Sequence, residues 1–273
     1  MVKSWIFRGI SNGILTTKYP AAKPTYDEIP LRSIPPKETV GSDWIKGKNN
    51  CPTGAIQLEP DKSIDLGRCI YCRNCESAGF VFKDEDRASN AVLQAKIIST
   101  RSGNNDKKII EEFEKKCKAF RKSFHILMID VGSCNACNLE VLNLSNPYYD
   151  ISRLGIFFTN SPKHADALVA VGALNNAMVD VLKKTYESIP EPKMVISIGA
   201  CAISGGIFQD TESFVSPIGD VIPVDAAVYG CPPTPIQILE GLLLCTGNLQ
   251  KQQLGENQTE RHHKIRYNMS EES

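Results

Sequence analysis

This 273-residue sequence shows no charge imbalance, no long apolar run and no convincing export signal. It has 31 basic and 31 acidic residues, so its net charge of zero gives no general reason to expect nucleic-acid binding. No stretch approaches the roughly 20 apolar residues of a membrane span, and "MVKSWIFRGI" has too short an apolar run for a convincing signal peptide. We therefore expect its ten cysteines to bind metal more often than to form disulfides.

The stretch from Cys51 to Phe80 contains parts of the C-x2-C-x2-C-x3-C-P motif of bacterial-type ferredoxins, which usually occurs twice. One copy keeps only its final Cys-Pro, and the other has lost its last cysteine. In a two-cluster ferredoxin, the fourth cysteine of each run binds the other cluster. The positions that lack cysteine make up the complete ligand set of one cluster: Gly41, Trp44, Gly47 and Gly79. The ligand set of the other cluster is complete: Cys51, Cys69, Cys72 and Cys75.

The loss of one whole ligand set and the retention of the other predict a ferredoxin-like module with a single [4Fe–4S] site. A structural zinc site is the alternative, because C-x2-C also binds zinc. Three cysteines in C-x2-C-x2-C with a remote Cys-Pro favour the iron–sulfur cluster over tetrahedral zinc.

From residue 124 onward the pattern changes to short apolar runs, as expected of strands that are buried on both faces of a sheet. The runs are "FHILMID", "GIFFT", "ALVAVG", "KMVISIG" and "VDAAVYG". Helical stretches, including "NNAMVDVLKKTYESI" and "PIQILEGLLLCTG", lie between or after them. This alternation predicts an α/β fold with a doubly wound parallel sheet of flavodoxin-like type, preceded by a small α+β ferredoxin-like domain.

Four further cysteines follow the predicted strands directly, at the edge where open α/β sheets bind ligands. They are Cys134, Cys137, Cys201 and Cys231. We expect the loops at this edge to bring them together as a second [4Fe–4S] site. FMN is the competing ligand of a flavodoxin-like fold, but it would not need four cysteines. Several glycines flank the cysteines and would let the backbone approach a cluster closely: Gly132, Gly199, Gly205, Gly206 and Gly230.

Two other cysteines belong to neither set. Cys117 lies on the apolar face of a helical pattern, and Cys245 lies inside an apolar helix, so we expect both to be packed thiols.

Composition divides the chain into five segments. Residues 1–40 contain a basic amphipathic helix and a proline-rich strap, residues 41–100 the ferredoxin-like domain, and residues 101–123 a helical linker. Residues 124–248 form the parallel-sheet domain, and residues 249–273 a polar tail. The N-terminal helix has the pattern to lie on an anionic bilayer or against a partner, and packing on its own protein is the alternative.

Four segments resemble the small subunit of membrane-bound, energy-converting [NiFe] hydrogenases, as in formate hydrogenlyase. They are "VGSCNACNLEVLNL", "SPKHADALVAVGAL", "ISIGACAISGGIF" and "YGCPPTPIQILEGL". The same family includes the 20 kDa cluster-bearing subunit of respiratory complex I, which has two adjacent cysteines where this chain has C-x2-C. The resemblance implies that the second cysteine set holds the proximal cluster. It also puts Glu140 at an acidic position near the family's proton route, although a helix N-terminal charge is an equally good local interpretation.

The N-terminal third resembles a different subunit of the same complexes. "GILTTKYP" and "IDLGRCIYCRNCE" are similar to the two-cluster ferredoxin subunit that feeds the small subunit, here fused to its neighbour and reduced to one cluster. The two resemblances imply an oxidoreductase subunit with two [4Fe–4S] clusters that is not catalytic alone. It would relay electrons between a ferredoxin-type donor and the Ni–Fe site of a separate large subunit.

The same resemblances imply partners and a location. We expect a [NiFe] hydrogenase-type large subunit, membrane-arm subunits and a ferredoxin or ferredoxin-like donor, and no nucleic acid. The expected location is cytoplasmic and peripheral, on the inner face of the cell membrane. One alternative is the equivalent subunit of a complex I-like reductase that acts on quinone or sulfur compounds without nickel. Another is a cluster-bearing scaffold without turnover.

Overall fold

The computed structural model describes residues 36–59, 61–82, 115–120, 123–209, 211–215 and 217–247, together with Ser11 and the backbone of residues 95–97. The predicted N-terminal helix, most of the proline-rich strap and the polar tail lie outside these ranges.

The elements are named here in chain order. The strands are β1 (Ile56–Gln57), β2 (Ser63–Ile64), β3 (Ala95–Ile97), β4 (Phe124–Asp130), β5 (Ile156–Phe158), β6 (Ala167–Val171), β7 (Met194–Ile198) and β8 (Ala226–Val228). The α-helices are α1 (Trp44–Asn50), α2 (Ala136–Leu142), α3 (Val179–Ser188), α4 (Ala200–Ser204) and α5 (Pro235–Cys245). Short 3-10 helices span Asn74–Ala78, Asn143–Ser145, Ile151–Leu154, Pro162–His164, Asn176–Met178, Gly206–Phe208 and Ile218–Asp220.

A six-stranded sheet organises the larger domain, with the strand order β3–β8–β7–β6–β4–β5. The five strands from β4 to β8 pair in parallel and coincide with the five apolar runs, so the prediction of a parallel sheet is confirmed. Counted from β4, their order is 2-1-3-4-5, which is the flavodoxin-like order. β3 is an addition at the edge that the sequence did not predict, and it pairs antiparallel with β8.

Helices cover both faces of this sheet, so each strand buries alternate residues in two separate cores. Ile126, Val169 and Ile196 face the core that is closed by α2, α5 and the segment 115–120. Leu168 and Val195, one position earlier, face the core that is closed by α3 and α4. This two-sided burial is the physical reason for the continuous apolar runs in the sequence.

The smaller domain, residues 36–82, packs α1 and the antiparallel pair β1–β2 around its own core. Trp44, Ile56 and Phe80 are its largest buried side chains. Its third element, the 3-10 helix Asn74–Ala78, packs against α1. The segment that carries Cys69, Cys72 and Cys75 therefore runs from β2 into this 3-10 helix.

Candidate metal centres

The first candidate site, called here the N-terminal site, takes its cysteines from two separate segments of the smaller domain. Cys51 follows α1, which begins at its N-cap residue Asp43. Cys69, Cys72 and Cys75 follow β2, and the last of them lies in the 3-10 helix Asn74–Ala78. The remote Cys-Pro and the C-x2-C-x2-C run thus come together, as the cysteine count predicted.

The four thiols of the N-terminal site lie close enough to influence one another electrostatically. Burial raises the pKa of Cys69 to about 12, with smaller contributions from the thiols of Cys51, Cys75 and Cys72. The same four cysteines line one cavity of about 340 Å³, part of which is open to solvent. The backbone N–H of Ala55 donates to the Sγ of Cys51 at 3.2 Å. Hydrogen bonds of this kind adjust the potential of a thiolate-bound iron centre.

At two positions of the missing ligand set, Trp44 and Gly47, the aromatic ring of Phe80 packs where a ligand would be needed. Trp44 packs edge-on against Phe80, with ring centroids 5.1 Å apart. A Cβ atom on Gly47 would come within 2.6 Å of the Phe80 ring, so only glycine fits there without a shift. The carbonyl of Gly79 accepts a hydrogen bond from the hydroxyl of Ser42 at 3.0 Å. A second ferredoxin cluster at these positions would have to displace this aromatic pair.

The second candidate site, called here the sheet-edge site, lies where the parallel strands end. Cys134 and Cys137 follow β4, Cys201 lies in α4 directly after β7, and Cys231 follows β8. Because β4, β7 and β8 run parallel within one sheet, the loops that follow them project from the same edge. The predicted placement of these cysteines relative to the strands is confirmed.

The thiols of the sheet-edge site also lie close enough to influence one another electrostatically. Burial raises the pKa of Cys137 to about 12, with contributions from the thiols of Cys231, Cys201 and Cys134. Burial raises the pKa of Cys201 to about 11, with contributions from Cys231 and Cys134. Cys134 is exposed, and the other three are partly buried. The site therefore opens to the surface at Cys134.

A carboxylate that the sequence analysis missed organises the loop that carries Cys134. Asp130, the last residue of β4, accepts hydrogen bonds from the backbone N–H groups of Gly132 and Ser133 at 2.9 and 2.7 Å. It also accepts from the hydroxyl of Ser133 at 2.9 Å and from the amide of Asn138 at 2.6 Å. The available signal was an Asp at a strand end, two residues before Gly-Ser, which is typical of a side-chain-stabilised turn.

Two of the predicted glycines lie directly against cysteine sulfurs. Gly199 has a φ of +89°, and a Cβ atom there would lie 2.6 Å from the Sγ of Cys137. Gly206 has a φ of +54°, and its Cβ would lie 3.2 Å from the Sγ of Cys201. The other glycines make room for backbone: a Cβ on Gly132 would meet the carbonyl of Ala173 and one on Gly230 would meet Pro233, while Gly205 is the C-cap of α4.

Glu140 lies on α2, half-buried, and its charge contributes to the raised pKa of Cys137. It is the fifth residue of α2, and the first turn of that helix has no acidic residue. The interpretation of Glu140 as a helix N-terminal charge is therefore wrong. Its proximity to the sheet-edge site remains, and its role in a proton route stays a prediction.

The two sites are neighbours. The thiol of Cys72 contributes to the raised pKa of Cys231, after burial and Cys134. Burial raises the pKa of Tyr71, and both Cys69 and Cys231 contribute to that rise. The N-terminal site and the sheet-edge site therefore face each other across the boundary between the two domains.

The remaining two cysteines are packed in the core, as predicted. Cys117 is 6% exposed and Cys245 is fully buried. The thiol of Cys117 donates to the carbonyl of Leu244 at 3.6 Å. Within the described ranges, no group of three or more His, Cys, Asp or Glu side chains is arranged to hold a metal ion.

Comparison with known proteins identifies the larger domain. Residues 134–245 match the model of the family "NADH ubiquinone oxidoreductase, 20 Kd subunit". The probable membrane-bound hydrogenase subunit mbhJ of Pyrococcus furiosus is 37% identical over 156 residues, which cover 57% of this chain and 93% of that protein. The chain belongs to the 20 Kd subunit family. The resemblance of the larger domain to this family is thereby confirmed, and the resemblance of the N-terminal third to a ferredoxin subunit stays a prediction.

Further relatives are named as subunits of two kinds of complex. Formate hydrogenlyase subunit 7 of Escherichia coli is 38% identical over 134 residues, which cover 49% of this chain and 52% of that protein. A subunit of the NADH-quinone oxidoreductase of Citrifermentans bemidjiense is 44% identical over 107 residues, which cover 39% of this chain and 62% of that protein. These three relatives are named as subunits of oxidoreductases, and the region of this chain that matches the family model contains all four cysteines of the sheet-edge site.

Proposed function

We propose that this chain is an iron–sulfur electron-transfer subunit that binds two [4Fe–4S] clusters. One cluster would be held by Cys51, Cys69, Cys72 and Cys75, and the other by Cys134, Cys137, Cys201 and Cys231. The observation that carries the proposal is the gathering of eight of the ten cysteines into two neighbouring groups of four thiols. A bound cluster supplies one-electron redox chemistry, which neither thiols nor the rest of the chain can supply.

The residues around each group suit such a ligand. Burial and, to a smaller extent, the neighbouring thiols raise the pKa of Cys69 at one site and of Cys137 at the other. Thiolates this close repel one another unless a cationic centre lies between them. At the sheet-edge site, Gly199 and Gly206 leave the space around two sulfurs free of side chains. Asp130 holds the loop of Cys134 through backbone hydrogen bonds. The protein thus contributes the cysteine ligands, a backbone that approaches the sulfurs closely and a loop of fixed geometry.

The surface at the sheet-edge site supports contact with a partner subunit. Cys134 is exposed, and on the adjoining helix α2 the side chains of Leu139 and Leu142 are 55% and 51% exposed. Exposed apolar side chains beside a redox site are typical of a surface that another protein covers. We assign this surface to a [NiFe] hydrogenase-type large subunit, since relatives are named as subunits of a membrane-bound hydrogenase and of formate hydrogenlyase. Membrane-arm subunits and a ferredoxin-type donor complete the proposed complex.

The location follows from these partners. Among the helices of the described residues, none has the length and apolar character needed to cross a bilayer. We propose that other subunits hold the chain on the cytoplasmic face of the membrane. Fractionation of cells should recover it with membranes after a high-salt wash, because salt screens surface charge but not a large apolar interface. Release by salt alone would contradict attachment through subunit interfaces.

A nickel-free reductase of quinone or sulfur compounds is the second candidate function. The relative from an NADH-quinone oxidoreductase, at 44% identity, is the observation that favours it. The C-x2-C spacing of Cys134 and Cys137 favours the hydrogenase. Nickel analysis of the purified complex separates the two, because only the large subunit of a hydrogenase would bring nickel. One nickel per complex supports the hydrogenase, and nickel-free complex with quinone or sulfur reductase activity supports the alternative.

Metal analysis tests the clusters themselves. The full-length chain, reconstituted with iron and sulfide under anaerobic conditions, should bind about eight irons and about eight sulfides. Cys72→Ser should lower both values by about half, and Cys201→Ser should do the same at the other site. About four irons in the unchanged chain, or stoichiometric zinc, would contradict the proposal.

A further inference from the structure

A direct contact joins the loop before Cys69 to the helix that carries Cys201. The hydroxyl of Ser204, the last residue of α4, donates to the carbonyl of Gly67 at 3.1 Å. Nearby, the guanidinium of Arg68 donates to the side-chain carbonyl of Gln209 at 3.4 Å. Each contact links a residue of the smaller domain to a residue of the larger one.

On the side of the larger domain, Ser204 is tied to the turn around Cys201. Its hydroxyl also donates to the carbonyl of Ala200 at 3.0 Å, so its single proton is shared between Ala200 and Gly67, and it accepts from the backbone N–H of Gly206 at 3.3 Å. Gly206 packs against the sulfur of Cys201. A displacement of Ser204 would therefore also displace the turn that packs against the proposed ligand Cys201.

On the side of the smaller domain, Gly67 belongs to a turn that leads directly to Cys69. The carboxylate of Asp65 accepts from the backbone N–H of Gly67 at 2.8 Å. The carbonyl of Asp65 accepts from the backbone N–H of Cys69 at 3.1 Å. The carbonyl that Ser204 contacts is thus part of a hydrogen-bonded turn that ends at a second proposed ligand.

We propose that Ser204 is a positioning residue that fixes the separation of the two cluster sites through its hydrogen bond to Gly67. The inference rests on the proposed function, because it presupposes a cluster at each site. An electron that passes between the sites leaves one and enters the other, and no bond is made or broken. The rate of electron transfer depends on the distance between the two sites. A contact that holds this distance constant therefore also holds the rate constant. In two separate subunits, an intermolecular interface would have to fix the separation of the two sites.

The first test is electron paramagnetic resonance of the full-length chain, reconstituted anaerobically and fully reduced. Two reduced clusters at fixed close separation give a spectrum with magnetic interaction, which is more than the sum of two isolated signals. Ser204→Ala should keep the iron content and both signals but lose that interaction. Ser204→Thr keeps a hydroxyl and should restore it. Arg68→Ala, which removes the second contact without changing α4, should weaken the interaction.

The matched control is Ser188→Ala in α3. The hydroxyl of Ser188 makes the same kind of bond within a helix, to the carbonyl of Lys184 at 2.7 Å, but it lies away from both sites. This substitution should leave the interaction unchanged. An interaction that survives in Ser204→Ala with full iron content overturns the inference. Loss of the sheet-edge cluster in Ser204→Ala also overturns it, because the hydroxyl would then serve Cys201 alone.

Amide hydrogen exchange tests the hydrogen bond between Ser204 and Gly67 independently of the iron content. Ser204→Ala should speed exchange in residues 65–70, because the turn loses its anchor on α4, and Ser188→Ala should not. Equal exchange in both variants overturns the inference whatever the metal content. A low iron content in the unchanged chain is instead a failure of the proposed function, so the two failures are distinguishable.

Discussion

The carboxylate of Asp130 accepts a hydrogen bond from the side-chain amide of Asn138, 2.6 Å away, and so joins the end of β4 to helix α2. The loop between these two residues carries Cys134 and Cys137. Partial burial of Asp130 disfavours its charged form, but the hydrogen bonds from Gly132, Ser133 and Asn138 outweigh burial and lower its pKa. This charged carboxylate is therefore part of the support of the sheet-edge site.

Asp130→Asn should weaken that support. The substituted amide cannot accept from all of these donors, and the carboxylate is exposed, so we expect a loss of about 1–2 kcal/mol in the free energy of unfolding. The pKa of Asp130 is lowered in the folded state, so its contribution is present above the unfolded pKa and is lost as the pH falls through the folded one. Chemical denaturation at neutral and acidic pH measures both effects. Glu187→Gln, on the exposed surface of α3, is the control and should be neutral.

Gly199→Ala should remove the sheet-edge cluster. The added Cβ would lie 2.6 Å from the sulfur of Cys137, at a φ of +89° that alanine rarely adopts. Gly41→Ala is the matched control, because Gly41 has a φ of +96° and its Cβ would meet nothing within 4 Å. Iron analysis should show about half the iron in Gly199→Ala and the full amount in Gly41→Ala. Equal iron in both variants would show that the space beside Cys137 is not needed.

Cys117→Ala and Cys245→Ala should keep both clusters, because neither residue belongs to a group of four. Each should lower the free energy of unfolding by about 1–2 kcal/mol, since a buried sulfur loses its packing contacts. Iron content and thermal unfolding of the two variants are the measurements. If either variant lost iron while it remained folded, the division of the ten cysteines would be wrong.

Gly47→Ala should destabilise the smaller domain. Alanine favours a helix by up to about 1 kcal/mol, but its Cβ would come within 2.6 Å of the buried Phe80 ring, and such overpacking costs about 1–3 kcal/mol. In a chain that already carries Phe80→Leu, the same substitution should cost less, because the obstructing ring is gone. A double-mutant cycle in denaturant measures this coupling. Purely additive effects would mean that the two residues do not compete for the space of the missing cluster.

Much of the fold was readable from local pattern. The five buried runs gave five parallel strands, because two-sided burial in a parallel sheet leaves a continuous apolar signature. β3 escaped prediction since it is three residues long, lies at the sheet edge and follows a polar stretch. Asp130 was missed because its importance comes from four donors, and only the folded loop brings those donors around one carboxylate.

By itself, the sequence determined where the strands end and predicted which cysteines form each set, because cysteine spacing and hydrophobic period are local properties of the chain. Only the tertiary structure decided that Phe80 packs against Trp44 and Gly47, two positions of the missing ligand set. It alone also decided that the two cysteine sites face each other, with Ser204 bonded to Gly67 across 137 residues of sequence. Contacts of this kind depend on strand order and on how the two domains pack, and no local pattern contains that information.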